Sequence, residues 1–183
     1  LMTRDNDRFI KLGDRVKFAR NHEADLFVSI HADSLPRPNV SGASIYTLSN
    51  TASDAQTAKL AARENKADLI AGIDLSTEDQ EVANILVDLA MRDTMNQSKY
   101  FANTLVGTFN AGGIKLLERP HRYAGFAVLK APDIPSILIE AGFMSNSSEA
   151  KSLASISHQK KFAKNVKSGI DAYFRTVAEN EQD

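Results

Sequence analysis

Two ionisable residues stand at the ends of apolar segments in this sequence. His31 ends a nearly continuous apolar run over residues 25–31, and Glu140 ends a second run over residues 136–140. Runs of this kind are typical of strands covered on both faces, and α/β folds place their sites where such strands end. Glutamate is rarely buried unless it is paired or functional. Together the two residues suggest water activated by a metal, with a carboxylate as general base.

Each residue also has an ordinary structural interpretation. His31 could be a satisfied histidine of the core, and Glu140 could form an ion pair with Lys130 or Arg122. A catalytic zinc normally takes three protein ligands and a water, and His31 supplies only one of them. The other histidines are poor ligand candidates, because they lie in predicted loops or at a helix start: His22, His121 and His158. From the residues alone, the site is therefore incomplete.

The composition excludes several classes of function. A chain of 183 residues, 43% hydrophobic and 25% charged, can form one domain with its own core. Its net charge of -1 creates no overall field that favours nucleic acid, and no apolar run approaches the length of a membrane span. The sequence contains no cysteine, so any transition metal must be bound by histidine or carboxylate side chains.

Strand and helix patterns alternate along the chain. This alternation predicts an α/β fold, with a mostly parallel twisted sheet, helices on both faces and a helical insertion between strands. Strands are expected at 25–31, 42–48, 126–129 and 136–140. Helices are expected at 8–21 with Asp7 as cap, at 53–70, at 79–109, after Asn146 or Ser147, and near the C-terminus. The helix at 79–109 would carry the apolar stripe Val82, Ile85, Leu86 and Leu89.

Three segments resemble one family of enzymes, the zinc-dependent N-acetylmuramoyl-L-alanine amidases. The segments are the TRDND stretch at 3–7 with Leu12 and Arg15, the strand at 24–33, and the long block from 126 to 146 that contains EAGFMSN. The resemblance extends over nearly the whole chain. It implies a periplasmic hydrolase that cleaves the amide between N-acetylmuramic acid and L-alanine in bacterial peptidoglycan.

The resemblance also implies roles for particular residues. It makes His31 a zinc ligand and Glu140 the catalytic acid and base. The family's other two zinc ligands, a histidine and a glutamate, precede the first matching segment and have no counterpart before Leu1. We therefore expect an upstream part of the catalytic domain to be absent from this chain.

Residues 52–110 resemble the insertion of the division-associated, periplasmic branch of the family. In that branch an inserted helix covers the zinc until an activator protein displaces it. The resemblance implies that 52–110 is a regulatory insertion within a single domain over residues 1–183, and that Glu64 occupies the open zinc position. Glu64 could instead be an ordinary solvated helix residue. The helix at 79–109 could pack on the core or form a groove for an activator helix.

Two other functions are compatible with the same residues. A zinc peptidase acting on a different amide would use the same chemistry, and only analysis of the products separates it from an amidase. A non-catalytic module for peptidoglycan binding or regulation, derived from an amidase, would explain the missing ligands. Such a module has no evident need for His31 and Glu140 at strand ends.

Overall fold

The computed structural model describes residues 1–66 and 84–180, and the side chains of this part other than those of 84–90. The helices are α1 (Leu12–Asn21), α2 (Ala55–Asn65), α3 (Asn84–Ala111), α4 (Ser147–Leu153) and α5 (Ile156–Asn180). The strands are β1 (Phe27–Asp33), β2 (Ala43–Leu48), β3 (Leu116–Ala124) and β4 (Ser136–Phe143), and a 3₁₀ turn covers Ala127–Leu129. Helices α2 and α3 thus lie between strands β2 and β3 in the chain, as the predicted insertion requires.

The four strands form one sheet in the order β1-β4-β2-β3. Strands β1 and β4 are parallel, as are β2 and β3, whereas β2 and β4 are antiparallel. The mostly parallel α/β sheet predicted from the alternating pattern is therefore confirmed. The central strand β4 is buried along its whole length except at Ala141, because helices cover both of its faces.

Strand β4 divides the core into two layers. Leu138 packs with Tyr46 and Phe126 on the face covered by α1 and α2, while Ile137 and Ile139 point to the face covered by α3 and α5. Successive side chains of a strand point to opposite faces, so Glu140 lies on the same face as Leu138. The site residue is therefore directed toward α1 and α2.

Three local predictions were wrong, and one strand was missed. Helix α1 begins at Leu12 after Lys11, which makes no side-chain cap, so Asp7 does not start it. No strand forms at 126–129: Ala127–Leu129 form the 3₁₀ turn after Phe126, with Val128 and Leu129 buried. Strand β3 was not predicted, because at the sheet edge its sequence is largely polar and its residues are half-buried or exposed except at Ala124. His121, expected in a loop, lies in this strand.

Helix α3 packs in the core along its C-terminal half. Phe101, Leu105 and Phe109 are fully buried there, in contact with the layer formed by α5. Val82, the end of the predicted helix at 53–70 and the start of the one at 79–109 lie outside the described residues, as do the side chains of Ile85, Leu86 and Leu89. Core packing therefore explains the part of the predicted helix at 79–109 that can be described.

Gly42 is expected to be essential for the start of β2. Its φ is +118°, and an added Cβ would lie 2.8 Å from the backbone carbon of Leu116. We expect Gly42→Ala to lower the free energy of unfolding by about 2–4 kcal/mol, because both the backbone strain and the clash with fixed main chain oppose it. Chemical denaturation measures the change.

Gly107→Ala is the matched control for this substitution. Gly107 lies inside α3, and an added Cβ there meets nothing within 4 Å. It should stabilise the protein by about 0.5–1 kcal/mol through helix propensity. Equal effects of the two substitutions would contradict the strain assigned to Gly42.

Candidate active site

His31 and Glu140 are partners in the sheet. Their Cα atoms are paired across the parallel strands β1 and β4, close to the carboxyl end of each strand. The regular pairing ends just after this pair, where a bulge shifts the register between His31 and Asp33. Bulges commonly redirect groups beside functional sites. Here the bulge turns the amide of Asp33 toward Glu140, and Asp33 N donates to Glu140 Oε2 at 3.1 Å.

The carboxyl group of Glu140 is completely buried. Its second oxygen, Oε1, has no hydrogen-bond partner. The pKa of Glu140 is raised to about 8, mainly by burial and also by the negative charge of Glu64, while Arg63 acts in the opposite direction. A buried carboxyl with one free oxygen is the arrangement expected of a group that exchanges protons.

The structure brings Glu64 to the same point. Glu64 Oε2 lies 3.1 Å from His31 Nδ1, and Glu140 Oε1 lies 4.0 Å from the same nitrogen. The hydrogen bond with His31 holds the pKa of Glu64 below its ordinary value, although partial burial acts in the opposite direction. The three residues named from the sequence therefore form one cluster, and Glu64 is not an ordinary solvated helix residue.

Polar contacts with neighbouring segments hold the C-terminal end of α2 next to the cluster of His31, Glu64 and Glu140. At its C-terminal end Arg63 forms an ion pair with Asp33 and donates to the carbonyl of Ser34. The side chain of Asn65 donates to the carbonyl of Gly125 at 2.7 Å and accepts from the amide of Ala127 at 2.7 Å. These contacts were not predicted, because they join residues about 30 and 60 positions apart in the chain with no shared motif.

The other end of α2 is also fastened. Asp54 caps the helix by accepting from Thr57 N at 2.8 Å, and its second oxygen accepts from Arg122 of β3 at 3.3 Å. Arg122 is therefore paired with Asp54 and not with Glu140. Within the described chain, Glu140 forms no ion pair with Arg122 or Lys130, so the structural interpretation of Glu140 loses its two candidate partners.

The other histidines take no part in the cluster. His22 ends α1 and contacts the carbonyl of Phe18, and His121 lies between Thr47 and Asn103. His158 packs against Phe162 at the start of α5. A cavity of about 420 Å³ near His158, Lys115 and Lys161 is likewise built from residues other than His31, Glu64 and Glu140.

The cluster can supply part of a zinc site. His31 Nδ1 and Glu64 Oε2 are 3.1 Å apart. Two donors at ~2.0–2.1 Å from one tetrahedral zinc would be about 3.3 Å apart, so the pair fits two of its ligands. Glu140, with its unpartnered oxygen, lies beside them. Among residues 1–66 and 84–180, however, no group of three His, Asp or Glu side chains has the geometry to hold a metal by itself.

The fold places the chain among α/β enzymes of known structure that act as amidases. The catalytic domain of CwlV, an N-acetylmuramoyl-L-alanine amidase from Bacillus (Paenibacillus) polymyxa var. colistinus, matches with a TM-score of 0.59 and 26% identity. The match covers 96% of this chain and 72% of that domain. At the level of sequence, residues 1–172 match the N-acetylmuramoyl-L-alanine amidase family, and the chain belongs to this family. The resemblance to N-acetylmuramoyl-L-alanine amidases noted in the sequence is thereby confirmed.

Curated relatives support the same assignment. The chain is 39% identical over 174 residues to AmiA, an N-acetylmuramoyl-L-alanine amidase of Salmonella typhimurium. It is 41% identical over 177 residues to AmiC, an N-acetylmuramoyl-L-alanine amidase of Escherichia coli O6:H1. Each match covers 94% of this chain, which spans 60% of the length of AmiA and 41% of that of AmiC.

The stability of the metal-free protein should depend on the charge of Glu140. Its folded-state pKa, about 8, lies above the ordinary value of 4.5, so the folded protein keeps a proton that the unfolded chain releases. Stability from this group is complete below about pH 4.5 and is lost as the pH rises toward 8. Between about pH 5 and pH 8, wild type should lose about 2–4 kcal/mol relative to Glu140→Gln, which cannot ionise.

Urea unfolding in the presence of a chelator measures this difference across the pH range. Glu149→Gln is a control for removal of a carboxylate that is bonded to the amides of Gly42 and Phe143. It should destabilise the protein without the rise toward high pH expected for Glu140→Gln. Parallel curves for wild type and Glu140→Gln would show that Glu140 does not hold its proton in the folded state.

Proposed function

We propose that this chain carries catalytic residues of a zinc-dependent N-acetylmuramoyl-L-alanine amidase. The reaction is hydrolysis of the amide between N-acetylmuramic acid and L-alanine in peptidoglycan. One observation carries the catalytic part of the proposal: the fully buried Glu140 has an unpartnered oxygen 4.0 Å from His31 Nδ1. Membership of the amidase family supports the choice of substrate.

In this proposal His31 Nδ1 is one ligand of the zinc, and Glu140 moves the proton. Bound zinc supplies Lewis-acid polarisation of a carbonyl and activation of water. Glu140 Oε1 accepts the proton of the attacking water and then delivers it to the leaving amine. The amide of Asp33 holds Glu140 Oε2, so the other oxygen keeps its direction during the transfer. Further zinc ligands must join His31, because the described residues hold no complete set.

Substitution of the two residues should separate binding from proton transfer. We expect Glu140→Gln to keep zinc but to lower the hydrolysis rate about 100- to 10,000-fold, because it removes the general base. His31→Ala should lose most of the zinc as well as the activity, because it removes a ligand. His22→Ala, which alters an exposed histidine at the end of α1, should leave both unchanged.

The assay uses the full-length protein and purified peptidoglycan, with zinc measured by elemental analysis. An amidase releases stem peptides that begin with a free L-alanine, which amino-terminal analysis identifies. Release of a different amine would instead indicate a zinc peptidase. Binding of peptidoglycan without any hydrolysis or zinc would support the non-catalytic module.

We propose further that α2 inhibits the enzyme. The support is the position of Glu64, whose carboxylate occupies the space in front of His31 Nδ1. Catalytic zinc sites keep an open position for water or substrate, and a carboxylate there would close it. The proposed lid is α2 alone, because the C-terminal half of α3 is part of the core. Of the two helices described in the insertion, α2 is the one that can open without exposing Phe101, Leu105 and Phe109.

Release of α2 requires a partner in this proposal. The partner is a periplasmic activator protein that binds the insertion and moves Glu64 away from His31, at sites of cell division. A periplasmic location follows from the substrate class, since peptidoglycan lies outside the cytoplasmic membrane. Among the helices of the described residues, none is long and apolar enough to cross a membrane.

Substitutions that weaken the hold on α2 should raise activity in the absence of a partner. Asn65→Ala removes two hydrogen bonds to the backbone, and we expect basal hydrolysis to rise about 3- to 30-fold. Glu64→Ala should raise it further, because it also removes the blocking carboxylate. Lys59→Ala on the exposed side of α2 is the control and should change nothing.

Point substitutions test this idea better than removal of the insertion. A deletion of 52–110 would remove buried residues of α3 and unfold the domain. Thermal unfolding confirms that each variant stays folded. Basal activity equal to wild type in folded Asn65→Ala and Glu64→Ala would overturn inhibition by α2 and leave the amidase proposal intact.

A further inference from the structure

The two ring nitrogens of His31 have different surroundings. Nδ1 faces Glu64 and Glu140, the side on which chemistry is proposed. Nε2 lies 3.1 Å from the hydroxyl oxygen of Ser29. Ser29 is two residues earlier in β1, on the same face of the strand, and its exposure is only 7%. The hydroxyl is thus held inside the protein against the side of the ring away from the cluster.

We propose that Ser29 is a positioning residue for the metal ligand His31. By bonding Nε2, its hydroxyl fixes the orientation of the ring and presents Nδ1 as the donor to zinc. Metal-binding histidines commonly hold their other ring nitrogen through such a second hydrogen bond. The inference rests on the zinc role of His31 proposed above, and it assigns a function to a residue that does not itself touch metal or substrate.

A hydroxyl suits this position because it can both donate and accept a hydrogen bond. When Glu64 occupies the site, its carboxylate accepts a hydrogen bond from His31 Nδ1, and the Ser29 hydroxyl can either donate to Nε2 or accept from it. With zinc bound at Nδ1, the neutral ring would carry its proton on Nε2, and the Ser29 hydroxyl would accept a hydrogen bond from it. A carboxylate or carbonyl oxygen can only accept. Ser29 therefore keeps the ring in one orientation in both the inhibited and the metal-bound state.

The backbone around Ser29 supports a fixed contact. Ser29 is paired with Leu138 and Ile30 with Ile139 in regular parallel register, and the bulge begins only after His31. The serine and the histidine are therefore held by the same stretch of regular strand. A change in the position of α2 leaves this stretch in place, because the pairing joins β1 to β4 and does not involve the helix.

The test measures zinc affinity and the state of the His31 ring. In the full-length protein, Ser29→Ala should bind zinc about 10- to 100-fold more weakly, measured by competition with a chromogenic chelator. Ser29→Thr keeps the hydroxyl and should restore most of the affinity. In ¹⁵N NMR spectra of the zinc-loaded protein, the proton on Nε2 of His31 should exchange with solvent faster in Ser29→Ala than in wild type.

A control separates positioning from stability. Ser136→Ala removes another buried serine hydroxyl, at the opposite end of β4 from Glu140. It should lower stability to a similar degree as Ser29→Ala while leaving zinc affinity unchanged. Urea unfolding of the zinc-free variants measures the stability.

The outcomes distinguish this inference from the function on which it rests. Equal zinc affinity of wild type and Ser29→Ala would overturn the role of Ser29 and leave zinc binding by His31 standing. Equally weak binding by folded Ser29→Ala and Ser29→Thr would show that the hydroxyl is not what matters. Failure of wild type to bind zinc would overturn both the metal site and the positioning role.

Discussion

Two carboxylates face one imidazole nitrogen, and the rest of the architecture depends on this contact. Glu64 and Glu140 both approach His31 Nδ1, although their charges repel each other in a buried place. The two carboxyl groups are affected in opposite directions. The hydrogen bond with His31 lowers the pKa of Glu64, whereas burial raises the pKa of Glu140. Paired strands hold His31 and Glu140, and a separate helix carries Glu64. One carboxylate is therefore fixed in the sheet, and the other lies on a helix outside it.

The helices of the insertion are held by different kinds of interaction. Helix α3 contributes fully buried aromatic and aliphatic side chains to the core, and their exposure would cost several kcal/mol each. Helix α2 buries only Thr57, Leu60 and Ala61, and is otherwise fastened by hydrogen bonds and ion pairs near the surface. Such polar contacts can be exchanged for water or for a partner at small net cost. The two helices therefore differ in how much buried apolar surface holds them in place.

The sequence predicted correctly those strands in which a continuous apolar run ends at an ionisable residue. Strands β1 and β4 were predicted because apolar residues occupy both of their faces, and His31 and Glu140 were found because charged groups at the ends of such strands are unusual. Strand β3 was missed, since a sheet edge needs hydrogen bonds but little apolar character. The contacts of Asn65 with residues 125 and 127 could not be predicted, because they arise only once distant loops are brought together.

Glu64 was found by a different route. Nothing in its own helix marks it, and only the resemblance to the amidases singled out this position. The orientation of the His31 ring was also beyond prediction, because it depends on which nitrogen meets Ser29. Residue types and the family resemblance were therefore enough to name the members of the cluster. The distances and contacts between their atoms could be obtained only from the folded structure.

Helix α2 is tied to the chain at both ends. A short connection of residues 49–54 joins it to β2. A group on such a tether has an effective concentration near its target in the millimolar range. If α2 is the inhibitor, it competes continuously with substrate for the site. It rebinds there as soon as an activator releases it. An activator would then have to stay bound throughout hydrolysis, so cutting would stop wherever the activator departs.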